Sequence, residues 1–76
     1  MITVKLYGLL RIESGIKELK LEARTVTDIF RALAEKGLSP KELNACLILI
    51  NGTSANRRSK LKNGDTVILM SPVAGG

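Results

Sequence analysis

The feature that most constrains this chain is its final apolar run, Thr66-Val67-Ile68-Leu69-Met70-Ser71, halted by Pro72. Ser71 precedes a proline and is steered toward extended backbone, while Pro72 has no N–H with which to continue pairing. A strand running from about Thr66 to Ser71 therefore has to end there, and the rest of the chain has to supply a sheet for it. Alternation along that strand divides Val67 and Leu69 from Ile68 and Met70. If the first pair faces a helix, Ile68 and Met70 lie on the opposite face, where exposed apolar side chains often mark an association site. Cover by a loop of the same chain is the alternative. Beyond Pro72 stand Val73, Ala74, Gly75 and Gly76. Those four residues reach about 14 Å when fully extended, and the glycines add no side-chain bulk. Such an end suits entry into a narrow cleft of a partner, with the α-carboxylate as the reactive group presented. An ordinary frayed terminus is the competing reading.

The sheet that receives this strand is legible upstream. Residues 2–8 alternate, with Ile2, Val4 and Leu6 on one face and Thr3, Lys5 and Tyr7 on the other, which predicts a strand with one buried side. A second alternating run over 17–23 places Leu19, Leu21 and Ala23 against Glu18, Lys20 and Glu22, and is expected to pair antiparallel with the first. The connection from 9 to 16 is too long for a two-residue turn; its Leu9, Leu10 and Ile12 are expected to cover the open end of the core. Thr25 and Asp28 have capping-box spacing, with Thr27 as an alternative cap. Val26, Ile29, Phe30 and Leu33 then recur at helical spacing as far as a stop at Gly37, and Leu38 is positioned for the contact that follows such a stop. Ser39-Pro40-Lys41-Glu42 repeats the start signal and predicts a short helical turn. Cys46 to Ile50 is continuously apolar, which fits a strand covered on both faces or one offering a second apolar face to a partner. Asn51-Gly52 is a tight-hairpin pair leading to a short return strand over 53–55. Leu61 reads as a plug into the core, and Asn63-Gly64 marks a turn before Asp65.

A chain of 76 residues with 45% hydrophobic and 25% charged residues has the composition of one ordinary globular domain with a modest core. It has a single cysteine and no histidine, so it holds no internal disulfide, no cysteine metal cluster and no histidine base. Lys5 interrupts the first apolar run, no signal peptide is apparent, and no run approaches membrane-spanning length, so the cytoplasm is the expected compartment. The formal net charge of +5 raises nucleic acid as a partner. Against it, Tyr7 and Phe30 are the only aromatic residues, too few for a base-stacking platform.

Strand, strand, helix, strand, strand gives an α+β fold, a small mixed sheet with one main helix packed across it in two layers. At this point Val4-Lys5-Leu6-Tyr7-Gly8-Leu9-Leu10-Arg11, Asn51-Gly52, Leu61-Lys62-Asn63-Gly64-Asp65-Thr66-Val67 and Ser71-Pro72-Val73-Ala74-Gly75-Gly76 together make the chain similar to the ubiquitin-like β-grasp sulfur carriers. The likeness is nearest to the group containing the small subunit of molybdopterin synthase (molybdopterin-converting factor subunit 1). It covers essentially the whole chain, 1–76, as one β-grasp domain with a flexible tail over 73–76. Its specific part is a Leu-x-x-Gly-Asp turn feeding a strand that ends in Pro-Val-x-Gly-Gly. The thiamine-thiazole sulfur carriers end similarly, but the stretch from Val4 to Arg11 favours the molybdopterin group. The chain departs from that group at Ser71, where a second proline is common, and in its basic charge.

The resemblance implies that a ubiquitin-activating-type adenylyltransferase uses ATP to adenylate the Gly76 carboxylate, and that a sulfur donor then converts it to a thiocarboxylate for molybdopterin synthesis. Gly76 is then the modified residue and Gly75 its small neighbour, while Ile68, Met70, Pro72, Val73 and Ala74 contact the large subunit of molybdopterin synthase. No cofactor or metal is bound by the carrier itself, which acts as a non-catalytic co-substrate. A ubiquitin-like modifier joined to target lysines, or a sulfur carrier for thiamine thiazole or tRNA thiolation, uses the same activated end. Among other groups, Cys46 lies in an apolar run and reads as a buried structural thiol rather than a sulfur relay. Asp65 reads as a turn cap rather than an acid catalyst. Arg57, Arg58, Lys60 and Lys62 read as a solvated loop, with steering toward an acidic partner as the alternative. Exposed lysines such as Lys5 and Lys20 remain protonated and are poor bases.

Overall fold

The computed structural model describes residues 1–71; the expectations placed on Pro72, Val73, Ala74, Gly75 and Gly76 lie outside the described residues. The elements in order are β1 (Ile2–Tyr7), α1 (Leu9–Ser14), β2 (Glu18–Leu21), α2 (Val26–Glu35), α3 (Pro40–Ala45), β3 (Leu47–Ile50), β4 (Thr53–Ser54) and β5 (Thr66–Met70). The strands form one five-stranded mixed sheet in the order β2-β1-β5-β3-β4. β5 enters the middle, parallel to β1 with Val4 opposite Val67 and Leu6 opposite Leu69, and antiparallel to β3 with Ile48 opposite Leu69. The expected antiparallel pairing of the first two strands is present, with Val4 opposite Leu19.

One face of the sheet carries the core. Ile2, Val4, Leu6, Ile48, Val67 and Leu69 are buried against Val26, Ile29, Phe30 and Leu33 of α2, with Leu10, Leu38 and Leu43 closing the periphery. The predicted alternation of β1 and β5 and the predicted stripe of α2 thus meet in one layer interface. Leu61 packs against its edge, as expected of a plug.

The ends of α2 show why it spans these residues. Thr25 accepts a hydrogen bond from the Asp28 N–H while the Asp28 carboxylate accepts from the Thr25 N–H, a complete capping box. Thr27 is not the cap; its hydroxyl donates instead to the Arg57 carbonyl at 2.9 Å. The first two amides of the helix, at Val26 and Thr27, donate to the carbonyls of Ser59 and Arg57, so the basic loop satisfies donors that a helix start otherwise leaves to water. At the other end Gly37 adopts φ 99°, and its N–H and that of Leu38 donate to Ala34 and Leu33. This is a Schellman stop with Leu38 buried behind it.

Two expectations need correction. The connection over 9–16 contains the helix α1, and of the three apolar residues expected to cover the core only Leu10 is fully buried; Leu9 is half-buried and Ile12 is 76% exposed. In a helix, two residues' separation turns the side chain by about 200°, so a helix that buries Leu10 turns Ile12 outward. The last strand also stops at Met70, one residue short of Ser71, and the first at Tyr7, one short of Gly8.

Two turns that look independent in the sequence are tied together. Asn51 and Gly52, at φ 50° and 85°, form the predicted hairpin between β3 and β4. The Asn51 side chain then donates to the Asp65 carboxylate at 2.9 Å and accepts from the Thr66 N–H at 3.0 Å. Asp65 also accepts from the Lys62 N–H at 2.8 Å. That backbone bond, then the Asn51 side chain, holds the Asp65 carboxyl below its ordinary value; the Arg24 and Thr25 amides do the same for Asp28.

A carboxyl depressed in the folded state contributes stability that is complete above its unfolded pKa and is lost as pH falls through the folded one. Denaturant midpoints should therefore decline as pH drops below the ordinary aspartate value near 3.8. The Asp28→Asn/Asp65→Asn double variant should show a flatter decline over the same range. An unchanged slope in that variant would place the acid sensitivity elsewhere.

Candidate functional site

The face of the sheet away from α2 is where the chain leaves polar alternation. Register places Tyr7, Met70 and Leu47 side by side across β1, β5 and β3, and behind them Lys5, Ile68 and Leu49. Tyr7, Met70 and Leu47 are among the large apolar residues with substantial exposure, Leu47 at 62% and the other two at 38%. Ile68 and Leu49 are half-buried. Ile68 and Met70 thus occupy the face opposite the helices, as alternation predicts. Leu47 and Leu49 extend that face; the sequence signal for them was the unbroken apolar run of 46–50, which offered both faces of a strand. Cys46, Ser54 and Ala55 border a shallow groove beside Leu47 and Met70. The apolar row lies at the end of the sheet where β5 finishes, next to the residue from which the last five depart.

That residue, Ser71, is 4% exposed, the one buried polar side chain among the described residues. Its N–H donates to the Tyr7 carbonyl at 3.4 Å, extending the β1–β5 pairing one step beyond Met70. Its hydroxyl oxygen accepts from the Leu9 N–H at 2.5 Å and the Leu10 N–H at 3.4 Å, and donates to the Tyr7 carbonyl at 3.3 Å. Gly8 makes room for it. The backbone there has φ 70° and ψ −142°, a combination that only glycine adopts readily, and a Cβ at this position would stand 2.4 Å from Ser71 Oγ. Ser71 was legible only as an extended pre-proline residue; the sign of its anchoring was a glycine directly after an alternating strand.

Cys46 lies just outside β3 and is half-buried rather than buried, because the strand begins one residue later. Its thiol donates to the Leu43 carbonyl at 2.9 Å, and burial pushes its pKa up to about 11. Asp65 caps its turn. Arg57 stacks its guanidinium 5.5 Å from the Phe30 ring centroid, so the basic loop is strapped to α2 by its backbone and by this contact. Among the described residues no helix is long and apolar enough to cross a membrane, and no group of three histidine, cysteine, aspartate or glutamate side chains is placed to hold a metal.

A five-stranded mixed sheet grasping one main helix, with first and last strands parallel at its centre, is the ubiquitin-like β-grasp architecture. The chain belongs to the ThiS family, whose model matches residues 4–76, and so stands among the β-grasp sulfur carriers. No curated protein sequence matches it. Its backbone is similar to a chain of the complex of subunits 1 and 2 of molybdopterin-converting factor from Helicobacter pylori 26695, at 26% identity and TM-score 0.73 over 99% of this chain and 97% of that one. It is also similar to small archaeal modifier protein 1 from Methanosarcina acetivorans, at 28% identity and TM-score 0.82 over 99% and 95%. The fold is shared as well with a chain of the BexX/CysO complex of Amycolatopsis orientalis, at 21% identity and TM-score 0.72 over the full length of both.

Two outcomes are expected of this surface. Cys46, whose thiol burial raises from the ordinary 9.0 to about 11, should alkylate at neutral pH more slowly than a free thiol, since only the thiolate reacts. Its rate should climb as pH rises toward 11; a fast reaction at pH 7 would show an activated thiol instead. Leu47→Lys should shift stability by no more than about 0.5 kcal/mol in denaturant titration, as for exposed positions generally, and a loss of several kcal/mol would mean that Leu47 belongs to the core.

Proposed function

We propose that this chain is a sulfur carrier for molybdopterin synthesis. A ubiquitin-activating-type adenylyltransferase joins the Gly76 carboxylate to the AMP portion of ATP, releasing pyrophosphate. Sulfur at the sulfide level from a donor then displaces AMP and leaves a C-terminal thiocarboxylate. Activation is needed because the α-carboxylate, with a pKa near roughly 3.5, is ionised at neutral pH and a poor electrophile. The large subunit of a molybdopterin synthase receives the end; there the thiocarboxylate sulfur bonds to an electrophilic carbon of the pterin precursor, and water then cleaves the acyl–sulfur bond, leaving the sulfur on the pterin and returning the Gly76 carboxylate. Gly75 and Gly76 suit a narrow channel by their small size, and Pro72, Val73 and Ala74 are the preceding residues that contact the partner in this reading.

The observation that carries this reading is the apolar row Tyr7, Met70 and Leu47 beside the anchored Ser71. A partner seated on that row lies next to the start of the terminal segment, so one contact surface both binds the domain and receives its end. The likeness to molybdopterin-converting factor at 26% identity supports this choice of partner. The 28% likeness to small archaeal modifier protein 1 favours a second reading, a modifier whose activated Gly76 is attacked by target lysines. Recovery of lysine-linked conjugates from cells distinguishes it.

The chain incubated with its activating enzyme, ATP and a sulfur donor should gain the mass difference between sulfur and oxygen, localised to Gly76. A chain extended by one residue should stay unmodified, because misplacing a reacting group by about 1 Å can cost roughly a hundredfold in rate. Failure of the native end to react, or equal reaction of the extended one, would end the sulfur-carrier reading. In the same system Met70→Glu should weaken the large-subunit complex far more than it lowers the unfolding midpoint, since it sets an unpaired charge in an apolar contact.

A further inference from the structure

We infer that Ser71 is a positioning residue: its hydroxyl, seated in the space left by Gly8, fixes the point and direction from which the terminal segment departs. The inference rests on the activated-terminus reading above and adds to it a residue that touches neither partner nor reacting atoms.

The geometry is that of a latch closing two distant parts of the chain. Ser71 follows the last residue of β5, where a strand edge ordinarily frays. Instead it is 4% exposed, with its hydroxyl donating to one carbonyl and accepting from two amides of the β1–α1 corner. Those amides open α1, whose own N-cap residue, Gly8, has no side chain to satisfy them. Serine at 71 therefore does for α1 what a local capping residue does elsewhere. The contact also excludes any side chain at position 8, since a Cβ there would meet Ser71 Oγ at 2.4 Å. Glycine and serine thus form a matched pair 63 positions apart, each explaining the other.

Anchoring matters because an end that must thread a cleft has to be ordered when it binds. A backbone residue left loose has to be fixed on binding, which weakens encounter by about tenfold for one residue. The latch meets that cost for residue 71 in the free protein, by holding Ser71 in place before the end is bound. Once bound, the end occupies the same geometry with or without the latch. Loss of the hydroxyl should therefore appear in KM and leave kcat alone, the signature of an interaction that acts equally on bound ground state and transition state.

The test compares Ser71→Ala with the native chain by pyrophosphate exchange on the activating enzyme and by 15N relaxation of the free protein. Ser71→Ala should raise the KM for the carrier about tenfold with kcat changed less than about twofold. The order parameters of the Leu9 and residue 71 amides should fall while those of α2 stay fixed. Gly8→Ala, which keeps the hydroxyl but displaces it, should give the same KM effect if it folds; Ser71→Ala stands as the test if it does not. Unchanged order at these two amides, or a fall in kcat at constant KM, overturns the latch. The native chain separates the two ideas: if it is not activated at all, the sulfur-carrier reading fails by itself and the relaxation data still decide whether the hydroxyl anchors the strand end.

Discussion

The structure depends on one pairing, the parallel alignment of β1 with β5 at the centre of the sheet. Neither strand has its buried face filled by local contacts. Val4 and Leu6 need Val67 and Leu69 beside them to make a surface wide enough for α2. Because the two strands are parallel, they cannot be joined by a hairpin, and everything between them is crossover: α1, β2 along one edge, α2 over the face, then α3, β3 and β4. The Asp65 carbonyl accepting from the Thr3 N–H and the Met1 carbonyl accepting from the Gly64 N–H set the register at the start of the pair. Ser71 sets it at the finish. Both ends of the central pairing are thus held by backbone groups outside the strands.

This arrangement explains why the two faces of one sheet differ so much. α2 covers only one side. On the other, β2 and the near part of β1 carry lysine, glutamate and threonine, while β5 and β3 carry isoleucine, leucine and methionine. An antiparallel sheet facing water alternates apolar and polar residues, and β1 and β2 follow that rule. β3 and β5 break it in adjacent registers, which concentrates apolar side chains into rows rather than scattering them.

Local periodicity carried most of what could be read in advance. Period-two alternation located β1 and β2, the apolar run halted by Pro72 located β5, and the apolar stripe with its cap and glycine stop located α2 within a residue or so. Each of these signals is written in residues a few positions apart. What escaped was either too short for a period or set by distant contacts. α1, at six residues, has a glycine instead of a capping side chain before it, so it carries no start signal of its own; the cap comes from Ser71. The linkage of Asn51 to Asp65 escaped for the same reason, since each residue already had a sufficient local role as a turn former. At the candidate site the sequence located Ile68 and Met70, whereas Leu47 and Leu49 became part of the same surface only once β3 was seen to lie beside β5.

The strand order has a consequence for solubility. The two most amyloid-like segments, Leu47-Ile48-Leu49-Ile50 and Thr66-Val67-Ile68-Leu69-Met70, combine apolar and β-branched residues with no charge, and both are interior strands. The sheet's outer margins are given to β2, with its glutamate and lysine, and to β4, two residues long. Charge and shortness are what keep exposed edges from recruiting other chains. β4 is therefore a guard as well as a hairpin arm: if the Asn51-Gly52 turn opens, β3 becomes an uncharged, apolar free edge, and the protection of the molecule against self-association rests on a strand of two residues.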